Sequence, residues 1–177
     1  IVYEGELLPF GHRAALVNRM LAAYGAPSAI TYELFDDRVL RRANALSFGR
    51  EQLPTIDLPN ARYVLSFGAD FLGTWNSPTS QGHGYGLMRQ GRPGIRGMFV
   101  QVESRMWQTG ANADQWVRVK PGTEGVLALG LAQVIMTARL RPAGAGGRAG
   151  ALIDGWSSGL NNFAPEQVEQ ITGVAAA

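Results

Sequence analysis

Residues 63–70 read Tyr-Val-Leu-Ser-Phe-Gly-Ala-Asp (YVLSFGAD). Tyr63–Phe67 runs uncharged, with aromatic and branched side chains, straight into Gly68. This is the pattern of a buried strand that turns sharply at its carboxyl end. Met98–Val102 (MFVQV) repeats it and leads to Glu103-Ser104-Arg105. Trp116–Val119 is a third, brief strand, stopping at Lys120-Pro121-Gly122. Thr123–Thr137 (TEGVLALGLAQVIMT) then reads as an apolar helix, with Thr123 as N-cap and Glu124 complementing the positive end of the helix dipole. Strands alternating with helices predict an α/β fold with a mainly parallel sheet. In such sheets ligands bind at the carboxyl ends of the strands, near a reversal of strand order. The small and polar residues that end these three strands are the main pointer to a site.

Upstream, His12–Tyr24 has amphipathic helical spacing, with Gly25 placed to end the helix. Ala29–Glu33 reads as a short strand. Asp36–Phe48 returns to helical spacing, with acids at its start and Gly49 after it. Between the strands, Leu72–Gly97 is rich in Gly, Ser and Pro and reads as irregular, with one short helix around Tyr85–Arg89. Downstream, Pro142–Ala151 (PAGAGGRAGA) reads as a mobile surface loop, and Pro165–Ile171 as a last helix closed by Gly173. No internal repeat and no domain boundary is visible, so residues 1–177 are expected to form one domain. The opening IVYEGELLPF has neither an initiator Met nor a basic start, which reads as a piece of a longer protein.

Composition narrows the function classes. Hydrophobic residues make up 46% and charged residues 17%, as in a globular chain. The formal net charge is +2, without a basic stripe, so no nucleic-acid partner is expected. Cysteine is absent, which excludes disulfides, thiolate zinc sites, a Cys nucleophile and Cys-ligated iron–sulfur clusters within these residues. His12 and His83 are the only histidines, too few for a His-based metal cage. No apolar run reaches the roughly 20 residues that span a bilayer, so direct membrane insertion is not expected.

Familiar nucleotide motifs fail. Gly144-Ala145-Gly146-Gly147-Arg148-Ala149 has the letters of a dinucleotide fingerprint but follows no buried strand, so it reads as a linker. Gly82-His83-Gly84-Tyr85-Gly86 has the wrong spacing, and no P-loop occurs. Lys120-Pro121-Gly122-Thr123-Glu124 offers more. Pro and Gly shape a tight turn, the amides at the following helix start suit an anion, and the Glu124 carboxylate suits the N1–H and N2–H edge of guanine. A plain helix start with a dipole-complementing acid is the blander reading. Glu103 suits ribose hydroxyls or a solvated turn; Arg105 suits a phosphate or Glu103 itself. Asp70, Asn112 and Asp114 are of turn-capping type. The four tryptophans are more often core or lid residues than stacking platforms, and Asp36-Asp37 is more often a helix-start acid pair than a metal pair.

In order and spacing, YVLSFGADFLGTW (63–75), VQVESRMWQTGANADQW (100–116) and VRVKPGTEGVLALGLAQVI (117–135) resemble the large subunit of molybdopterin oxidoreductases, the dimethyl sulfoxide reductase family. FAPEQVEQITGV (163–174) resembles the family's following segment, so the resemblance covers roughly residues 29–174. It implies a Rossmann-like three-layer sandwich that holds a molybdopterin guanine dinucleotide. Gly68, Ala69 and Asp70 would line the pterin or phosphates. Glu103 and Arg105 would sit at ribose and phosphate. Gly122, Thr123 and Glu124 would meet the guanine edge, with Asp114 in a neighbouring loop. The family more often has Asp where this chain has Glu124.

The departures are also informative. Catalytic members of the family carry a Cys, selenocysteine, Ser or Asp metal ligand ahead of the Gly68 strand. Here that segment is ITYELFDDRVLRRANALSFG (30–49), with no Cys, Ser47 deep in a helix, and only Asp36 or Asp37 as stand-ins. No catalytic or metal-ligating residue is therefore expected in this chain. The segment is most similar to the molybdopterin-like subunits of alternative complex III and menaquinone reductases, which keep the fold without the metal. The resemblance implies a piece of a respiratory oxidoreductase, active in electron transport but inactive alone. Its implied partners are the other domains of the same subunit together with iron–sulfur and membrane subunits, on the periplasmic side. The alternative is a cofactor-free structural domain of such a membrane-attached complex. Either way, an exposed apolar patch is expected where neighbouring domains would pack.

Overall fold

The computed structural model describes residues 2, 4–6, 11–32, 37–90, 93, 96–141 and 149–176. The chain divides into two compact units, Ile1–Ala43 and Asn44–Ala177. In the first, β1 (Glu4–Glu6) pairs in parallel with β2 (Ile30–Tyr32), and α1 (Gly11–Ala23) connects them. Gly25 ends α1 in the left-handed conformation (φ +61°), its amide bonded to Ala22 O and that of Ala26 to Leu21 O. The next helix, α2 (Arg38–Phe48), begins in the first unit and ends in the second. Its Asp36 lies outside the described residues, as does the linker at 142–148.

The second unit is built on a parallel sheet of β3 (Tyr63–Phe67), β4 (Met98–Glu103) and β5 (Gln115–Arg118), in that spatial order. The α/β reading with a parallel sheet therefore holds. Chain order and spatial order agree, so these three strands contain no reversal. Phe67 registers with Val102 and Glu103 with Arg118, so all three strands run to the same rim.

Alternation of side chains assigns the two faces. Val64 and Phe99 join a cluster with Leu58, Phe71, Tyr85 and Met88. Tyr85 and Met88 come from α3 (Pro78–Arg89), and Leu58 from a 3₁₀ turn, Leu58–Asn60. On the opposite face Phe67, Val102 and Val117 pack with Val126 and Leu127 of α5 (Glu124–Thr137) and Val168 of α7 (Pro165–Thr172). Between these two helices lie the four-residue α6 (Ala149–Leu152) and a 3₁₀ turn, Asn161–Phe163. A further four-residue helix, α4 (Gln108–Ala111), joins β4 to β5.

Two sequence expectations need correction. The stretch read as irregular holds a full helix, α3, and one of its glycines serves packing: a side chain at Gly84 would meet Pro59 Cδ at 3.1 Å and Leu58 Cβ at 3.2 Å. The Thr123 hydroxyl also does not cap α5; it donates to Lys120 O at 2.7 Å. Tyr63, Leu65 and Met98 are exposed on the α5–α7 face of β3 and β4.

Candidate functional site at the carboxyl-end rim

Three turns meet at the rim. The first follows β3: Gly68 adopts φ +66°, and its amide continues the ladder to Val102 O at 2.8 Å. Asp70 then organises residues 70–75. Its main-chain oxygen accepts the amides of Gly73, Thr74 and Trp75, while its carboxylate accepts the hydroxyls of Thr74 (3.0 Å) and Thr109 (2.6 Å). Thr109, fully buried in α4, also accepts the Leu72 amide at 3.1 Å, so it ties two turns together.

The second turn follows β4. Glu103 is only 4% exposed, and both its oxygens are engaged: Oε2 accepts Gln101 Nε2 at 3.0 Å and Oε1 accepts the Trp107 amide at 3.0 Å. A side chain at Gly110 would land on Glu103 Oε1, so that glycine is what lets α4 close over the carboxylate. Arg105 remains outside, its guanidinium stacked 4.1 Å from the Trp107 ring centroid.

The third turn follows β5. Lys120 is anchored away from the rim: its amide bonds Thr172 O at 2.9 Å and its ammonium bonds Gln170 O at 3.0 Å, at the end of α7. Gly122 adopts φ +78°. Nothing lies within 4 Å of where a side chain would stand at Gly122, and the same is true of Gly68. At the start of α5 the amides of Glu124 and Gly125 donate to no main-chain carbonyl among the described residues. Glu124 is half-buried.

Gly68, Ala69, Asp70, Glu103, Arg105, Gly122, Thr123 and Glu124 thus share one rim. Asp114 does not share it. It precedes β5 and so lies at the amino end of the sheet, where its amide bonds Phe99 O at 2.9 Å. Its carboxylate clasps Arg89, accepts Arg96 at 3.0 Å and accepts the Phe99 amide at 2.8 Å. The hydrogen bonds from Arg89 hold this carboxyl far below the usual carboxylate range, helped by Phe99 N–H and Arg96. The Arg89 guanidinium is raised in turn, chiefly by the same bond.

Sequence reasoning missed a row one residue inside the rim. Ser66, Gln101 and Trp116 register with one another across the three strands and so point to one face. Ser66 Oγ, Gln101 Oε1 and Trp116 Nε1 are buried without a hydrogen-bond partner. The only available signal was Gln101 itself, a polar residue inside an apolar strand. Thr109 carried no signal, because its role depends on α4 folding back over the rim.

No family model matches the chain. It is 32% identical over 120 residues to the menaquinone reductase, molybdopterin-binding-like subunit, of Nitratidesulfovibrio vulgaris, a match covering 68% of this chain and 16% of that protein. It is 27% identical over 127 residues to the arsenate respiratory reductase molybdopterin-containing subunit ArrA of Chrysiogenes arsenatis, covering 71% of this chain and 14% of that one. Among solved structures, acetylene hydratase from Pelobacter acetylenicus shares the fold with a TM-score of 0.63 at 15% identity, over 99% of this chain and 23% of that chain. The chain therefore spans less than a quarter of each of these relatives.

Proposed function

We propose, on the premise that this chain resembles the molybdopterin-binding subunits of oxidoreductases, that its parallel-sheet unit forms one wall of the cofactor site in a respiratory oxidoreductase subunit. We further propose that the cofactor is a molybdopterin guanine dinucleotide in a Rossmann-like domain. The observation that carries this reading is the shared rim, where Gly68 and Gly122 both have left-handed backbone and open space in front of them. Backbone that a ligand must approach closely is where glycine is needed.

The remaining rim groups fit the nucleotide part of such a cofactor. The free amides at the start of α5 and the exposed Arg105 suit phosphate, and Glu124 suits a guanine edge. Glu103 and Asp70 serve as braces behind that surface rather than as contacts, since their oxygens are already engaged. No group of three or more His, Cys, Asp or Glu among the described residues could hold a metal ion. The metal end of the cofactor would then be held by other parts of the subunit. When bound, the cofactor supplies the redox chemistry, and these residues bind and orient its tail. Other domains of the subunit, iron–sulfur proteins and a membrane subunit on the periplasmic side complete the proposed assembly, and the chain alone is expected to be inactive.

A second reading is a cofactor-free structural domain of an alternative complex III-like assembly. It is favoured by the internal engagement of two of the three rim carboxylates, Asp70 and Glu103. Titration of the labelled protein with guanosine 5′-diphosphate tests the first reading. The amides of Gly68, Gly122, Glu124 and Gly125 are expected to shift; a folded sample that shows no shift there would overturn it. Stoichiometric molybdenum or tungsten in the parent complex would sink the second.

A further inference from the structure

A separate cavity of about 410 Å³ lies where α5 ends, lined by Met136, Arg139, Arg141, Trp156, Ser157 and Gly159. We propose that it binds a small phosphate-bearing molecule with a flat ring. The proposal does not depend on the rim.

Charge is the first reason. Two guanidiniums line the cavity and no acidic side chain does. Neither arginine makes a side-chain hydrogen bond or ion pair among the described residues, unlike Arg89 and Arg96, which are held by Asp114. The blander role for arginines at the end of a helix is to bond its last carbonyls and offset its dipole. Neither donates to those carbonyls. The helix end carries roughly half a negative charge, against two positive ones here, so the cavity stays electropositive.

Backbone is the second reason. The amide of Leu140 bonds Ile135 O at 2.9 Å and that of Arg139 bonds Met136 O at 3.2 Å, which closes α5 in a Schellman turn. Arg139 occupies its left-handed position (φ +53°), where glycine is the usual residue and a side chain is strained. The fold therefore carries an arginine at a position where glycine would be more stable, with its side chain on the cavity.

Shape is the third reason. The volume falls within the range of small-molecule sites. Trp156 brings an indole ring to the lining, Gly159 adds no side chain to it, and Ser157 brings a hydroxyl able to donate. Two guanidiniums match the oxygens of a phosphate, and the indole matches a ring.

The test uses phenyl phosphate and inorganic phosphate as probes, followed by the NMR shift of the Trp156 indole N–H. Phenyl phosphate is expected to shift it saturably, binding about fivefold tighter than inorganic phosphate. Arg139→Gly is expected to raise the thermal midpoint while weakening phenyl phosphate about tenfold. Arg141→Ala should weaken it similarly, and Trp156→Leu should abolish the preference for the ring, read from shifts of the Ser157 and Gly159 amides. Absence of a saturable shift, unchanged binding in both arginine variants, or shifts confined to Gly68 and Gly122 at the rim would overturn the proposal.

Discussion

Gly68 and Gly110 border the same rim, and an added methyl group meets opposite surroundings at each. At Gly68 it would touch nothing within 4 Å and would cost only the strain of a left-handed backbone. At Gly110 it would land on Glu103 Oε1, a buried acceptor that cannot move without releasing Gln101 and the Trp107 amide. Gly110→Ala is therefore expected to cost about 3 kcal/mol, from overpacking and a disrupted buried carboxylate. Gly68→Ala should cost about 1 kcal/mol. Urea denaturation of the two variants checks the order; equal losses would mean that Glu103 is not held under α4. The Glu103 environment also shows where local sequence stops being informative. Read along the chain, it was a strand-end acid with ribose hydroxyls or solvent as partners. Its burial depends on α4 turning back over it seven residues later, and no spacing within β4 encodes that.

Among elements, the strands of the second unit were legible and only the last turn of α3 was. Tyr63–Phe67 matches β3 residue for residue, and Met98–Val102 falls one residue short of β4, because continuous apolar runs ended by glycine or charge have few other uses. In α3, Gly82, Gly84 and Gly86 looked like breakers, yet they lie within twelve helical residues. Only Gly84 has a packing reason, its close approach to Leu58 and Pro59. Gly82 and Gly86 have nothing within 4 Å of an added side chain and leave helical stability unused. Gly82→Ala and Gly86→Ala should each stabilise the protein by about 0.5–1 kcal/mol, and Gly84→Ala should destabilise it. Thermal midpoints decide this: a gain at Gly84 equal to the other two would show that α3 does not pack on the 58–60 turn. β1 was missed for a different reason. Glu4-Gly5-Glu6 has no apolar alternation to detect, and it is a strand only because it pairs with Ile30–Tyr32.

For the whole molecule, the distribution of partners sets an order of stability. β4 is hydrogen-bonded on both sides and covered on both faces, with Phe99 and Val102 in the two separate clusters. Among the described residues the sheet of the first unit has two strands of three residues each, and a pair that small is marginal alone. Its opening need not disturb β4, since the chain forms two compact units. Native-state hydrogen exchange should therefore find the slowest amides within Phe99–Val102, exchanging only through global unfolding. Residues 30–32 should exchange through a smaller opening with weaker denaturant dependence. Equal protection in the two sheets would show instead that the chain unfolds as one cooperative body.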